Sequence, residues 1–290
     1  MPAHLLLSAK QRLSYTCAMV RVATIQMVST SDVKANLRQA RDLIQKAASK
    51  GAEFAVLPEY FPLISDNETD KLGIAEDLGS GPIQDMLGEL AKQYGMWLMG
   101  GTIPIRSDDT QRVASACLLY NPAGELSSRY DKMHMFDVCV NREDGEAYNE
   151  SNTIVPGREV VVADTSFATL GLSVCYDLRF PELYRELVNK GATIFTVPAA
   201  FTYTTGKRHW EMFLCARAVE NLCFVIASSQ GGHNTEKRRT WGRSMIIDPW
   251  GNILCSLEEG PGLACADLDL TRVDELRASF PALQHRILGV

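Results

Sequence analysis

The sequence predicts an α/β fold with two similar halves, and three observations support this prediction. Short apolar runs alternate with segments of helical periodicity over residues 20–101. The same strand–helix–strand order recurs over residues 160–228. No linker, low-complexity segment or glycine-rich phosphate loop interrupts the sequence. We therefore expect a single domain over residues 19–290, preceded by an N-terminal tail over residues 1–18.

Each element of the first half has its own local signal. Apolar residues recur at helical spacing from Val33 to Ala47, and Gly51 follows as a helix stop. The apolar run 54–57 is typical of a buried strand, and it places Glu59 at the carboxyl end of that strand, the edge at which α/β proteins tend to build sites. The predicted elements are a strand over 20–27, a helix over 33–47, a strand over 54–57, a helix over 83–94, a strand over 96–101 and a hairpin over 113–120 and 126–134 that carries Lys132 near its end.

Cys175 is the central residue of the second half. A short apolar run ends abruptly at this residue and a charged segment follows, which predicts a strand that runs into a helix. The unpaired N–H groups of a first helical turn would favour the thiolate of Cys175. Thr271 and Asp274 predict a capping pair for the last helix. The predicted elements are strands over 160–163, 170–174, 193–197, 223–228, 244–248, 253–257 and 263–268, and helices over 181–189 and 210–220.

Composition argues against several functional classes. With 46% hydrophobic and 22% charged residues, the chain has an ordinary globular composition. A net charge of −6 argues against nucleic acid as a partner. No apolar run approaches the ~20 residues of a membrane span, so we expect no membrane partner.

The cysteines predict neither disulfides nor a metal site. The eight cysteines show no C-x-x-C pair and no alternation with histidines at metal-ligand spacing, so no metal is expected. Most of them lie in apolar runs, which indicates a reducing, cytoplasmic compartment. Residues 1–18 contain Lys10 and Arg12 but no acidic residue, and this leaves a weak targeting segment open.

Three polar residues follow apolar strands: Glu59, Lys132 and Cys175. Taken alone, each has an ordinary interpretation, as a solvated carboxylate, a solvated amine and a small buried thiol. Together they form a complete set for attack on an amide. Cys175 is the nucleophile, Glu59 is the base that returns the proton to the departing amine, and Lys132 stabilises the oxyanion.

Four segments carry a resemblance to a known family: LPEYF (57–61), YDKMHMF (130–136), CYDLRFPEL (175–183) and TGKRHWEMFLCARAVEN (205–221). With these motifs the sequence resembles the nitrilase-related carbon–nitrogen hydrolases from about residue 20 to residue 286. The resemblance implies a four-layer α-β-β-α sandwich and a catalytic triad of Glu59, Lys132 and Cys175 without a cofactor. It also implies that subunits pair, as a homodimer or a higher oligomer, through the helices after Cys175 and around residues 209–221.

The resemblance further implies two auxiliary groups. The polar segment 136–157, expected to be an irregular loop over one rim, contains Glu150, which matches a second glutamate of the family. Glu150 would orient either Lys132 or the attacking water; the alternative is an ordinary loop carboxylate. The backbone N–H of Tyr176 would share the oxyanion with Lys132.

Within the family, segment 228–251 and the ending FPALQH (280–285) resemble the Nit branch, whose members hydrolyse amides of 2-oxo acids. We expect an amidase that acts on a small carboxylate-bearing amide through a cysteine thioester, with deaminated glutathione as the first substrate to test. The alternatives are an ω-amidase acting on 2-oxoglutaramate or 2-oxosuccinamate, and a non-catalytic binding protein of the same fold. A true nitrilase is less favoured, because that branch typically has tryptophan where this sequence has Tyr176.

The negative charge of the expected substrate predicts basic residues as its contacts. Deaminated glutathione carries a carboxylate at both ends, so an acidic protein must supply local positive charge to hold it. The predicted sources are Arg179, close to the nucleophile, and the basic cluster 237–243, from which Arg243 is taken as a substrate contact. A solvated loop is the alternative for this cluster. Phe201, in a Pro-Ala-Ala-Phe segment that departs from the branch pattern, is expected to border the pocket.

Overall fold

The computed structural model describes residues 19–141 and 146–288, so the predicted tail over 1–18 lies outside the described residues. The strands are β1 (Met19–Gln26), β2 (Phe54–Val56), β3 (Trp97–Met99), β4 (Ile103–Arg106), β5 (Val113–Tyr120), β6 (Leu126–Asp131), β7 (Asp137–Asn141), β8 (Glu146–Asn149), β9 (Ile154–Val155), β10 (Val162–Asp164), β11 (Thr169–Leu172), β12 (Ile194–Ala199), β13 (Phe224–Ser229), β14 (Gly231–His233), β15 (Arg239–Trp241), β16 (Met245–Ile247), β17 (Ile253–Ser256) and β18 (Gly262–Asp269). The helices are α1 (Val33–Ser49), α2 (Asp70–Gly73), α3 (Pro82–Tyr94), α4 (Pro181–Asn189), α5 (Tyr203–Asn221) and α6 (Thr271–Ser279), with 3-10 helices at Glu150–Asn152, Cys175–Arg179 and Ala282–His285.

The strands form two large sheets. The first has the order β18-β1-β2-β3-β5-β4, with β6 and β9 also paired to β5, and the second has the order β10-β11-β12-β13-β16-β17. In the first sheet β1, β2 and β3 are parallel, and in the second β11, β12 and β13 are parallel. Parallel neighbours need a crossover, which the intervening helices supply. Each half therefore repeats the strand–helix–strand unit that the sequence predicts.

The alternation of side chains along β1 creates the layers. Val20 and Val22 belong to an apolar core shared with the strands of the second sheet, whereas Ala23 and Ile25 belong to a core shared with α1 and α3. Successive residues of a strand point to opposite faces, so one strand contributes to both cores. Helices α4 and α5 cover the outer face of the second sheet, where Trp210 is fully buried. The order helix–sheet–sheet–helix confirms the predicted α-β-β-α sandwich.

Hydrogen bonds between the two sheets fix their relative position. The Thr24 hydroxyl of β1 donates to the Ala227 carbonyl of β13 at 2.7 Å, and the Ser228 hydroxyl donates to the Val56 carbonyl of β2 at 2.8 Å. All four residues are buried. Such bonds are costly to leave unmade in a dry core, and they hold the sheets in one register.

None of the helices in the described ranges is both long and apolar enough to cross a membrane.

Two local predictions are wrong. In segment 136–157 the described residues 136–141 and 146–157 are not an irregular loop, because β7 pairs antiparallel with β8 and β9 pairs with β5. Strands of only two to five residues are too short to give a clear hydrophobic periodicity, which explains why the pattern did not predict them. Thr271 does not cap α6 but is its first residue, and its hydroxyl donates to the Asp269 carboxylate at 2.6 Å.

Gly157 holds the chain beside Lys132. Its N–H donates to the Lys132 carbonyl at 2.8 Å. A Cβ atom at this position would lie 2.1 Å from the Asp131 carbonyl oxygen, far inside van der Waals contact. Only glycine permits this close approach of two backbone segments.

We expect Gly157→Ala to lower the free energy of unfolding by about 1–3 kcal/mol, because the backbone at Asp131 must shift. The matched control is Gly73→Ala, since a Cβ at Gly73 meets no atom within 4 Å. Thermal unfolding followed by circular dichroism would compare the two variants. Equal Tm values for both would show that the close approach at Gly157 does not constrain the chain.

Candidate active site

The core of the site is a lysine ammonium between two carboxylates. The Nζ atom of Lys132 lies 2.9 Å from Glu59 Oε1 and 2.8 Å from both carboxylate oxygens of Glu150. The three side chains are 2%, 1% and 7% exposed, respectively. Two negative charges therefore face one positive charge inside the protein, where electrostatic interactions are far stronger than in water. The sequence predicted these three residues as site residues, and the structure brings them together.

Glu150 is held from several directions. Besides Lys132, it accepts hydrogen bonds from the Tyr60 hydroxyl and, at 2.7 Å, from the Phe136 backbone N–H. Glu150 begins the 3-10 helix directly after β8, so the unpredicted hairpin is the element that delivers it to Lys132. These contacts hold Glu150 against Lys132. Of the two roles that the sequence left open, they favour orientation of Lys132 over orientation of the attacking water.

The environment drives the pKa values of the two carboxyls apart. Burial raises the pKa of Glu59; the charge of Lys132 opposes this rise and the negative charge of Glu150 adds to it, and the net shift is upward. Burial would also raise the pKa of Glu150, but Lys132 and the hydrogen bonds from Tyr60 and Phe136 outweigh it and lower that pKa. Burial would lower the pKa of Lys132, yet the two carboxylates raise it well above its usual value. Divergent pKa values in neighbouring carboxyls are a mark of acid–base sites.

Cys175 stands at a sharp turn. It follows β11 by three residues, begins a 3-10 helix and has a left-handed backbone with φ of 48°. A non-glycine residue in this region carries strain, which is common at functional positions. Its side chain is 8% exposed, and the thiol hydrogen-bonds to Glu59. The predicted nucleophile and the predicted base are thus in direct contact.

The thiolate expected from the sequence is not favoured by this environment. Burial raises the pKa of Cys175 well above its usual value, and the charge of Glu59 adds to this more than Lys132 lowers it. The turn at Cys175 is a single 3-10 segment rather than the start of a long helix, so the helix dipole is small. Cys175 therefore rests as a neutral thiol, and its activation depends on proton transfer to Glu59.

Asp177 joins the strand ends that carry Lys132 and Cys175. Its fully buried carboxylate accepts hydrogen bonds from the Val174 N–H at 2.8 Å and from the Tyr130 hydroxyl at 2.7 Å. It also accepts from the His134 backbone N–H at 3.1 Å. Val174 precedes Cys175, while Tyr130 and His134 flank Lys132. Through this carboxylate the turn from the second sheet is tied to the strand end from the first.

A cavity opens over these groups. Among the described residues, no group of three or more His, Cys, Asp or Glu side chains is placed to hold a metal ion. The predicted site residues that line the cavity are Glu59, Lys132, Glu150, Cys175, Tyr176, Arg179 and Phe201. Residues that line it without having been predicted include Tyr60, Phe136, Tyr148, Thr202 and Thr205. Of these, Tyr60, Phe136 and Thr205 stood inside the motifs at 57–61, 130–136 and 205–221, which were the available signal.

The structure does not place Arg243 with the other predicted site residues. Arg243 does not line this cavity, and its guanidinium pairs with Glu258 at 2.5 Å. Within the same basic cluster, Arg238 lines the cavity instead, while Arg239 pairs with Glu259 at 2.7 Å outside it. Arg238 ends the turn between β14 and β15, Arg239 begins β15 and Arg243 follows it, and only the first of these three side chains reaches the cavity. Sequence alone gives no register for this hairpin.

We expect Glu59→Gln to slow alkylation of Cys175 by iodoacetamide at least about 10-fold, because the thiol loses its proton acceptor. If Glu59 acted only through its charge, its removal would lower the pKa of Cys175 and speed the reaction. Mass spectrometry of time-resolved digests would measure the rate, with the exposed Cys139 as an internal control. Faster labelling of Cys175 in the variant would contradict the base role.

Comparison with known proteins agrees with this geometry. The family described as carbon-nitrogen hydrolase matches residues 21–278. A Synechocystis protein named deaminated glutathione amidase is 42% identical over 268 residues, which cover 91% of this chain and 97% of the relative. A human protein of the same name is 39% identical over 277 residues, which cover 94% of this chain and 84% of the relative.

A solved structure shows the same architecture. Nit3 of Saccharomyces cerevisiae, described as a member of branch 10 of the nitrilase superfamily, aligns with a TM-score of 0.81 at 29% identity, over 91% of this chain and 94% of that one. Sequence match, fold and shared length therefore agree. The chain belongs to the carbon–nitrogen hydrolase family, in the Nit branch of the nitrilase superfamily.

Proposed function

We propose that this protein is an amidase that hydrolyses deaminated glutathione to 2-oxoglutarate and cysteinylglycine through a thioester at Cys175. The observation that carries the proposal is the contact of the Cys175 thiol with Glu59, beside the buried Lys132, at the base of one cavity. Relatives named for this activity match over most of their length, which supports the choice of substrate. Two arginines in the cavity wall, Arg179 and Arg238, suit an acidic substrate.

The first half of the reaction makes the acyl-enzyme. Glu59 takes the thiol proton as the Cys175 sulfur attacks the amide carbonyl carbon. The carbonyl oxygen becomes an oxyanion, which the Lys132 ammonium and the Tyr176 backbone N–H stabilise. Tyr176 is the second residue of its 3-10 helix, where N–H groups have no partner inside the helix. The C–N bond then breaks, and the departing amine takes its proton from Glu59.

The second half of the reaction releases the acid. Glu59, again a carboxylate, takes a proton from water, and the hydroxide oxygen attacks the thioester carbonyl. The same oxyanion contacts serve this step. The C–S bond breaks, the sulfur recovers the proton from Glu59, and the 2-oxo acid leaves. A carboxyl with a raised pKa suits this alternation between base and acid, because its two protonation states lie closer in free energy near neutral pH.

Glu150 is assigned a positioning role. Both of its oxygens lie 2.8 Å from Lys132 Nζ, so it fixes the direction in which the ammonium points. Its lowered pKa keeps it anionic throughout the cycle. Lys132 therefore stays protonated while Glu59 exchanges its proton.

We expect Cys175→Ala to reduce turnover of deaminated glutathione by about 10³-fold or more, since no other group can form the thioester. Glu59→Gln should cost about 10²-fold or more through loss of the base. Formation of 2-oxoglutarate would be followed with a coupled dehydrogenase. Cys139→Ala, which changes an exposed thiol, serves as the control and should retain wild-type turnover.

Two results would count against the proposal. Turnover of Cys175→Ala above a few per cent of wild type would remove the nucleophile assignment. A fully folded wild-type protein that releases no 2-oxoglutarate from deaminated glutathione would remove the substrate assignment while leaving the amidase chemistry to be tested on smaller 2-oxo acid amides.

A further inference from the structure

Arg238 is a partly buried cation with unused hydrogen-bonding capacity. Its side chain is 17% exposed, and its Nε atom is buried without a hydrogen-bond partner among the described residues. The carboxylate closest to it is Glu68, at 3.8 Å from Nη1, beyond hydrogen-bond distance and itself 47% exposed. A guanidinium left in this state is costly, because each of its N–H groups seeks an acceptor. Arg238 lines the active-site cavity, so a ligand there can supply the acceptor.

Two aromatic rings fix the position of this guanidinium. Its central carbon lies 5.6 Å from the centre of the Tyr60 ring and 5.8 Å from that of Tyr148. Stacking of this kind holds an arginine side chain in one conformation and still leaves the edge of its planar fork free to bind a carboxylate in bidentate fashion. The side chain is therefore already ordered in the free protein, and substrate binding costs little further conformational entropy.

The second arginine lies at the other end of the same wall. The rings of Tyr148, Phe136 and Tyr176 contact one another in succession, with centres 5.1 Å and 5.0 Å apart. Arg238 packs on Tyr148, and Arg179 packs on Tyr176 at 5.7 Å. The cavity thus has two guanidinium groups, one packed on the first and one on the last of three successive rings. Two separate cations suit a substrate with a carboxylate at each end.

The proposed mechanism indicates which end of the substrate lies near each arginine. In the proposed mechanism the leaving amine takes its proton from Glu59, so the leaving group lies on the Glu59 side of the scissile bond. Tyr60, on which Arg238 packs, directly follows Glu59. Arg179 instead belongs to the turn of Cys175 and packs on Phe201 at 5.6 Å, on the side left for the acyl group.

We propose that Arg238 binds the carboxylate of the leaving amine, the glycine end of cysteinylglycine, and that it selects amides whose leaving group carries a carboxylate. Arg179 takes the carboxylate of the 2-oxo acid. This inference rests on the proposed function. It explains why one pocket needs two arginines when the acyl group has only one carboxylate.

The test compares two substrates that share the acyl group. Deaminated glutathione releases cysteinylglycine, whereas 2-oxoglutaramate releases ammonia, which has no carboxylate. For Arg238→Gln we expect KM for deaminated glutathione to rise on the order of 10- to 100-fold more than KM for 2-oxoglutaramate, as for loss of a charged hydrogen bond. Inhibition by added cysteinylglycine should weaken by a similar factor.

Arg239→Gln is the matched control. It removes the same charge from the adjacent residue, whose guanidinium pairs with Glu259 and packs on Tyr203 outside the cavity. The ratio of the two KM values should stay at its wild-type level. If Arg238→Gln does not fold, Arg238→Lys keeps the charge but loses the planar fork, and its KM ratio should still rise.

The outcomes are separable. If Arg238→Gln leaves both KM values unchanged, the assignment is overturned. If it raises both KM values by the same factor, the assignment is also overturned, because Arg238 would then contact the acyl group that the two substrates share. Either result presupposes wild-type turnover of deaminated glutathione. Absence of that turnover would instead overturn the proposed function.

Discussion

The site depends on the burial of one ammonium group between two carboxylates. Lys132, Glu59 and Glu150 are almost completely removed from water. Removing charges from water costs several kcal/mol per ion, and only close, well-directed partners offset that cost. Because one cation faces two anions, the cluster carries an excess negative charge. Burial raises the pKa of Glu59 and of Cys175, and the neighbouring carboxylate, Glu150 for Glu59 and Glu59 for Cys175, adds to each rise, so that Cys175 is protonated at rest.

The fold supplies this cluster from widely separated parts of the chain. Glu59 follows a strand of the first sheet, Cys175 follows a strand of the second, and Glu150 comes from a hairpin outside both. Contacts between backbone and side chain then hold the pieces in place. Gln230 donates to the Glu59 carbonyl at 3.1 Å, and Asp177 links the residues on either side of Lys132 to the residue before Cys175. The nucleophile, the base and the oxyanion group can therefore keep a fixed geometry without a bound substrate.

Much of this arrangement could be predicted from the sequence, and the limits have physical causes. Glu59 and Cys175 follow short, strongly apolar runs, and Lys132 follows the second strand of a hairpin whose turn, Asn121-Pro122-Ala123-Gly124, is recognisable in the sequence. The strands β7 and β8 that precede Glu150 have only five and four residues, so their periodicity is too short to be recognised. The neutral state of Cys175 was not predictable from its neighbours in sequence, since it arises from burial in the folded protein and from the charge of Glu59, more than a hundred residues earlier.

The basic cluster shows a different limit. Composition correctly pointed to a cation from segment 237–243, but the choice among Arg238, Arg239 and Arg243 depends on the register of β14 and β15. A shift of one residue reverses which side chain points inward. Arg238 enters the cavity because it ends the turn between these strands, where its N–H is bound by the Thr235 hydroxyl at 2.9 Å. Such a turn has no distinctive sequence pattern.

The pH dependence of kcat/KM in Glu150→Gln tests the central claim most directly. The acid limb of that profile reports the pKa of Glu59 in the free enzyme, since catalysis needs its carboxylate form. If the charge of Glu150 raises this pKa, its removal lowers it, and the acid limb moves to lower pH even though the overall rate falls. An acid limb that stays in place, or moves to higher pH, would contradict the account of two coupled carboxylates around one buried lysine.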